Sequence, residues 1–290
     1  MPPYGSAPAL RTALEARLLN ESREKGMNLD RLRRRAVFER MLVRLELASP
    51  GTWVLKGGTA LEVRWRERSR ATKDLDLALR DRPIDGADLH ELVLGQLRED
   101  PDGDGFRFDL GPPSALPEDT AGRPAWRFAA RALLAGREFT RVKIDVVARS
   151  EELVATERLR LPGALVFAGF PQRDVEAVAP AQHFAEKLHA LTRQYPGRVN
   201  SRVRDLVDLL LLLESNVPAP AEAWMVTRQV FATRTTHELP LVIPDPPASW
   251  SGTYALLAAD LDVQAATVPE AMARLNAFWA VARATGEERA

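Results

Sequence analysis

The 290-residue chain is 46% hydrophobic and balances 40 basic against 40 acidic side chains, so it can fill a large core and carries no net field towards nucleic acid. It has no cysteine, which excludes disulfides, thiolate zinc sites and cysteine nucleophiles, and its four histidines (His90, His183, His189, His237) are too scattered for a zinc motif. No apolar run reaches the roughly 18 residues of a membrane span, and the opening "MPPYGSAPALRTALEARLL" lacks the regions of a signal peptide, so a soluble cytoplasmic protein with no membrane partner is expected.

In chain order, residues 7–24 and 28–48 space their leucines, Val37, Phe38 and Met41 as two helices, with arginine-rich outer faces that include "RLRRR" at 31–35. "TWVLK" (52–56) reads as a short strand ended by Gly57-Gly58, and "TALEVRWRER" resumes helical spacing with Thr59 as its expected N-cap. "DLDLAL" (74–79) alternates with period two, which places Leu75, Leu77 and Leu79 on one face of a strand and Asp74 and Asp76 on the other. A helix is expected over 85–100, then strands over 106–110, 125–134 and 139–149, with a Pro/Gly-rich bridge over 111–124.

From about Ala179 the pattern becomes helical, over 180–195, 202–215, 219–234, a stretch near 248–260 and 268–285, with a proline-rich connection at 237–250. One strand–helix unit followed by a run of strands and then by helices implies an α+β fold: a mixed sheet with flanking helices and a C-terminal helical bundle. The expected organisation is N-terminal helices over 1–48 packed on the core, an α/β core over 49–178 and a helical domain over 179–290.

Two carboxylates at i and i+2 on one strand stand about 6–7 Å apart at their Cα atoms, which suits joint ligation of a hard divalent cation that brings substrate phosphates with it. Asp145 lies on the polar side of "VKIDV", and if its strand neighbours that of Asp74 and Asp76, three carboxylates converge. Gly57 and Gly58 would let backbone N–H groups approach a phosphate at a helix N-terminus, with Thr59 donating a further hydrogen bond and Lys56 and Lys73 neutralising charge. Each feature alone also reads as solvated surface, and Trp65 and Trp126 read as core residues before they read as base-stacking platforms. What singles out the stretch is the order: strand, Gly-Gly-Thr, helix, Asp-x-Asp strand, later acidic strand.

"KGGTAL", "TKDLDL", "AEKLHAL" and "RVRDLVDL" taken in succession resemble the motifs of the AbiEii/MenT nucleotidyltransferase toxins, over about residues 50–215. The resemblance implies the DNA polymerase β-type nucleotidyltransferase fold. It assigns Asp74 and Asp76 to Mg²⁺ (Mn²⁺ as a substitute), with Asp145 as a third acidic position. Lys56, Gly57, Gly58, Thr59 and Thr72 fall to the nucleotide, Lys187 to the catalytic lysine, and Asp205 to the acidic residue of the fourth motif. Asp208, one turn on, is a second candidate there, and Arg204 a further one; the motif's frequent tyrosine is Val207 in this chain.

The implied activity is transfer of a nucleoside monophosphate from an NTP to an acceptor, with the tRNA 3′ end as the implied acceptor. It is that of the toxin of an AbiE-like type IV toxin–antitoxin pair, which blocks translation and growth and is neutralised by a cognate antitoxin protein. Transfer to a protein or a small molecule such as an antibiotic, or a non-catalytic nucleotide-binding module, are the alternatives. Arg193, Arg198, Arg202 and Arg204 are the first candidate phosphate-backbone patch, with residues 31–35 the second.

Overall fold

The computed structural model describes residues 4–80, 85–116, 125–148, 153–195, 197 and 199–288. The chain divides into two compact units: residues 1–64, 71–150 and 158–177 form the first, and residues 65–70, 151–157 and 178–290 the second.

The first unit opens with helices α1 (Ala7–Lys25) and α2 (Leu29–Ala48). Ser6 caps α1 by accepting from the Ala9 N–H, left-handed Gly26 (φ 64°) ends it, and Asn28 caps α2 by accepting from Asp30 and Arg31. Strand β1 (Trp53–Leu55), helix α3 (Gly57–Trp65), strand β2 (Asp74–Leu79) and helix α4 (Gly86–Arg98) follow. Then come β3 (Phe106–Leu110), β4 (Ser114–Ala115), β5 (Ala125–Leu134), β6 (Arg137–Ala148), β7 (Thr156–Arg160) and β8 (Asp174–Val178). Residues 117–124 of the proline-rich bridge and residue 149 lie outside the described residues.

The strands make one mixed sheet in the order β3-β5-β6-β2-β1-β8-β7, with β4 on β5. β2 is antiparallel to β1 and parallel to β6, and β1 is parallel to β8. The period-two pattern decides the faces. Leu75, Leu77, Phe128, Ala130, Val142, Ile144 and Val146 are buried on the side to which α1, α2 and α4 pack, and the polar partners of the same strands lie on the opposite face. The short strands β4, β7 and β8 go beyond the sequence expectation; β7 and β8 widen the sheet on the β1 side.

Two arginines of α2 depart from the expectation of an arginine-rich outer face. Arg40 and Arg44 are 1% exposed. Arg40 donates to Asp104 at 2.6 Å and Asp102 at 2.7 Å, and Arg44 donates to Asp104 at 2.6 Å and to the Leu97 and Phe106 carbonyls. The acidic run after α4 offers enough acceptors to take two guanidinium groups out of water.

The second unit holds helices α5 (Pro180–Thr192), α6 (Val203–Glu214), α7 (Pro220–Arg234), α8 (Ser251–Asp260), led by a 3₁₀ turn at Ala248–Trp250, and α9 (Val268–Glu287). α6 turns Leu206, Val207, Leu209 and Leu210 inward against Phe184, Tyr254, Leu275 and Trp279. Prolines at the first turns of α5, α7 and α9 and a Thr267/Glu270 capping box set helix starts. The proline-rich connection is tied down where Pro240 accepts from the Trp279 indole and Ile243 exchanges hydrogen bonds with Asn276. Among the described residues no helix is long and apolar enough to cross a membrane.

Candidate active site

In the first unit the glycine turn and the aspartate strand are built against each other. β1 and β2 pair with Leu55 opposite Leu77, and the next N–H, of Lys56, donates to the Asp76 carbonyl at 3.0 Å. α3 then starts at Gly57, whose φ of 62° lies in the left-handed region. A Cβ on Gly57 would fall 1.9 Å from Asp76 Oδ2, so only a bare Cα lets the carboxylate sit there.

The helix therefore begins two residues before Thr59, which is a first-turn residue rather than the expected N-cap. Thr59 Oγ1 donates to the Asp74 carbonyl at 2.9 Å, and Thr72 Oγ1 donates to the same oxygen at 3.2 Å. A hydroxyl has one proton to give, so both threonines lock the entry of β2 to α3, and the N–H groups of the helix start are what remains for an anion.

β2 and β6 are neighbours, with Asp74 opposite Lys143 and Asp76 opposite Asp145. The expected convergence of three carboxylates therefore holds in register. At the side chains Arg127, opposite Asp145 on β5, stands between the carboxylates of Asp145 and Asp74. Its Nε donates to Asp145 Oδ1 at 2.7 Å and its Nη2 to Asp145 Oδ2 at 2.6 Å, while Nη2 lies 3.5 Å from Asp74 Oδ2. The paired hydrogen bond to Asp145, with the nearby charges of Asp74 and Asp76, raises the guanidinium's pKa above its ordinary value. Among the described residues no three His, Asp or Glu side chains form a metal cage. Asp74 and Asp76 nevertheless suit a hard divalent ion that keeps most of its ligands from water and phosphate: both are half-buried oxygen donors on one strand face, beside an anion-accepting turn.

The same face continues into a cleft of about 670 Å³, lined by Asp74 with Lys73, Lys143, Arg131, Arg141 and Arg34. Arg131 pairs with Asp109 and Arg141 with Glu138.

The second unit gathers Lys187, Asp205 and Asp208. Lys187 on α5 donates to Asp205 at 3.0 Å and to Asp208 at 2.6 Å, the two aspartates standing one turn apart on α6. Arg70 adds a contact to Asp208 at 3.0 Å. Burial works to lower the lysine's pKa, but Asp208 and Asp205 outweigh it and hold the ammonium above its ordinary value.

The family model of the "Nucleotidyl transferase AbiEii toxin, Type IV TA system" matches residues 40–283. The chain belongs to this family. The AbiEii-family toxin is similar in fold to MenT4, a nucleotidyltransferase toxin from Mycobacterium tuberculosis H37Rv, with a TM-score of 0.53 at 20% identity over 94% of this chain and 98% of that one. An antigenic nucleotidyltransferase-like protein from Paracoccidioides brasiliensis gives a TM-score of 0.36 at 15% identity, over 79% of this chain and 92% of that one. No curated protein matches the sequence.

The remaining candidate residues of this toxin separate by environment. Arg204 is exposed, Arg202 donates to the Tyr195 hydroxyl at 3.1 Å, Arg193 lies over the same ring, and Arg198 is outside the described residues. In the 31–35 run, Arg31 pairs with Glu62, Arg33 with Glu15 and Asp30, and Arg35 contacts Met27 Sδ, while Arg34 lines the cleft. Trp65 is partly buried and packs against the core of the second unit, and the partly buried Trp126 ring packs against Gly86. Sequence reasoning missed Arg127 and Arg70. Alternation puts Arg127 on the polar face of "AWRFAARALL", but only the β5–β6 register names its partner.

Proposed function

We propose that this AbiEii-family toxin transfers a nucleoside monophosphate from an NTP to the 3′ end of a tRNA and so blocks translation, with Mg²⁺ as its ion and a cognate antitoxin protein as its partner. The observation that carries the reading is the contact between Gly57 and Asp76, which joins an anion-accepting helix start to a carboxylate strand in one rigid piece. Asp74 and Asp76 would hold the ion, which when bound polarises the phosphate oxygens and screens their charge. The first N–H groups of α3 take the triphosphate, with Lys56 and Lys73 close in sequence to supply countercharge. Lys187, kept protonated by Asp205 and Asp208, takes the family's triphosphate contact, and Asp205 orients it. The acceptor hydroxyl attacks the α-phosphorus and gives up its proton to solvent, the α–β anhydride bond breaks and pyrophosphate leaves.

A polyanionic acceptor is favoured over a small molecule by the position of the cationic cleft. The glycine turn follows β1 on one flank of β2, and the cleft opens over β5 and β6 on the other flank. In-line displacement needs the attacking hydroxyl on the side away from pyrophosphate, and that side carries Lys143, Arg131 and Arg141. Purified protein incubated with each labelled NTP and total tRNA tests the reading. Label on tRNA that is lost in Asp74→Ala supports it; label only on protein or small molecules overturns the tRNA assignment.

A further inference from the structure

Arg127 and Asp145 form a close ion pair that the sheet register builds beside the carboxylates of β2. The two residues are directly opposite on adjacent antiparallel strands, so their meeting follows from the β5–β6 ladder and does not depend on a chance rotamer. Both carboxylate oxygens are taken, in the planar two-point geometry that only arginine offers. The nitrogen that binds Asp145 Oδ2 at 2.6 Å is also 3.5 Å from Asp74 Oδ2.

Sites with two metal ions use the second ion to join carboxylates from different strands and to neutralise charge, with the ions about 3.5–4 Å apart. Arg127 already performs that service, bridging the carboxylates of β6 and β2 with a charge that no physiological pH removes. A divalent ion on Asp145 would have to share a carboxylate whose two oxygens already hold the guanidinium and would meet that positive charge at close range. Among the described residues its Nη1 has no hydrogen-bond partner, so one edge of the guanidinium is left for a phosphate oxygen.

We infer that Arg127, pinned by Asp145, is a resident cation of this site, that Asp145 is its positioning residue rather than a metal ligand, and that the site takes one divalent ion, on Asp74 and Asp76. The inference rests on the nucleotidyltransferase reading and adds to it a metal stoichiometry and a role for Asp145.

Mn²⁺ titration of the full chain, followed by electron paramagnetic resonance at saturating non-hydrolysable α,β-methylene NTP, counts the ions directly. The expected wild-type value is one ion per chain. Asp145→Asn should leave Mn²⁺ affinity within about twofold while lowering transfer as much as Arg127→Ala does, with the double variant no worse than either. Arg127→Ala, which frees Asp145, should admit a second ion; Arg127→Lys, which keeps the charge, should not. Two ions on the wild type, a tenfold or greater loss of Mn²⁺ affinity in Asp145→Asn, or an Arg127→Ala variant that keeps one ion and full transfer would each overturn the inference while leaving the transferase reading intact. A wild type that binds neither the analogue nor the ion would overturn both.

Discussion

Gly57 and Asp76 occupy each other's space: the position a Cβ would take on the glycine is 1.9 Å from the carboxylate Oδ2. The turn and the aspartate strand are thus positioned by one contact that no other residue type permits. Gly57→Ala combines that clash with the cost of a non-glycine residue at φ 62°, about 1–2 kcal/mol. We expect it to lower nucleotidyl transfer by 100-fold or more with only a moderate drop in melting temperature. Gly26→Ala is the control, because Gly26 has a similar φ of 64° with nothing within 4 Å of its Cβ position. It should lose stability and keep activity; equal activity losses in the two variants would refute the coupling.

His189 supplies a pH-dependent stability term. Its Nδ1 faces Arg234 Nη1 at 3.2 Å and its Nε2 faces Thr236 Oγ1 at 2.7 Å. Arginine can only donate, so Nδ1 must be the bare acceptor and the ring neutral. Burial, with the charge of Arg234, pushes its pKa down to about 3. The unfolded chain takes up this proton near pH 6.5 and the folded chain does not, so stability falls as pH drops below 6.5 and continues to fall towards 3. The slope approaches about 1.4 kcal/mol per pH unit, or about 2 kcal/mol between pH 6.5 and 5. Urea unfolding at pH 5 and 7.5 should show this difference in the wild type and a smaller one, by that amount, in His189→Gln.

Lys187 behaves in the opposite sense. Its folded pKa is raised, so its contribution is complete at every pH below 10.5 and is lost only as pH rises through the folded value. The rate profile between pH 7 and 9.5 should therefore have no limb that disappears in Lys187→Arg. Lys187→Met leaves the buried Asp208 and the partly buried Asp205 short of a cation and should cost about 3–5 kcal/mol, read by chemical denaturation. Asp208→Asn should cost more than Asp205→Asn, because Asp208 is fully buried and accepts from both Lys187 and Arg70. Equal costs would argue that Arg70 adds nothing.

The legible parts of this molecule are those where one local pattern suffices. β2, β3 and β5 were readable to the residue because each is buried on one face and polar on the other. β7 ("TERLR") has no fully buried position and does not stand out from loop, whereas β8 ("DVEAV") alternates much as β3 does but is hidden because it runs directly into the helical pattern from Ala179. Arg40 and Arg44 were read as outward because charge on a helix defaults to solvent; the aspartates that draw them inward lie 60 or more residues on. Alternation likewise assigned Asp145 to the right face but could not say that Arg127 would meet it. Facing partners are set by register, and register is a tertiary property.

The cationic cleft makes the last prediction quantitative. Lys143 and Arg141 are exposed on the open sheet face, on the β6 side of Asp74, and Lys143 stands directly opposite Asp74 in register. If an RNA backbone crosses this face, each lost phosphate contact reduces the slope of log affinity against log salt by about 0.7 for single-stranded RNA, and somewhat more for a duplex. Lys143→Ala/Arg141→Ala should thus flatten the salt dependence of tRNA binding by about 1–2, raise the KM for tRNA several-fold at low salt and leave the KM for NTP unchanged. Filter binding from 50 to 200 mM salt measures the slope. Arg202→Ala, in the other candidate patch, should leave the slope unchanged, because its guanidinium already engages Tyr195 and Asp205. A slope altered by Arg202→Ala and untouched by the double variant would move the acceptor path away from the sheet face, and the in-line argument for its position would fall with it.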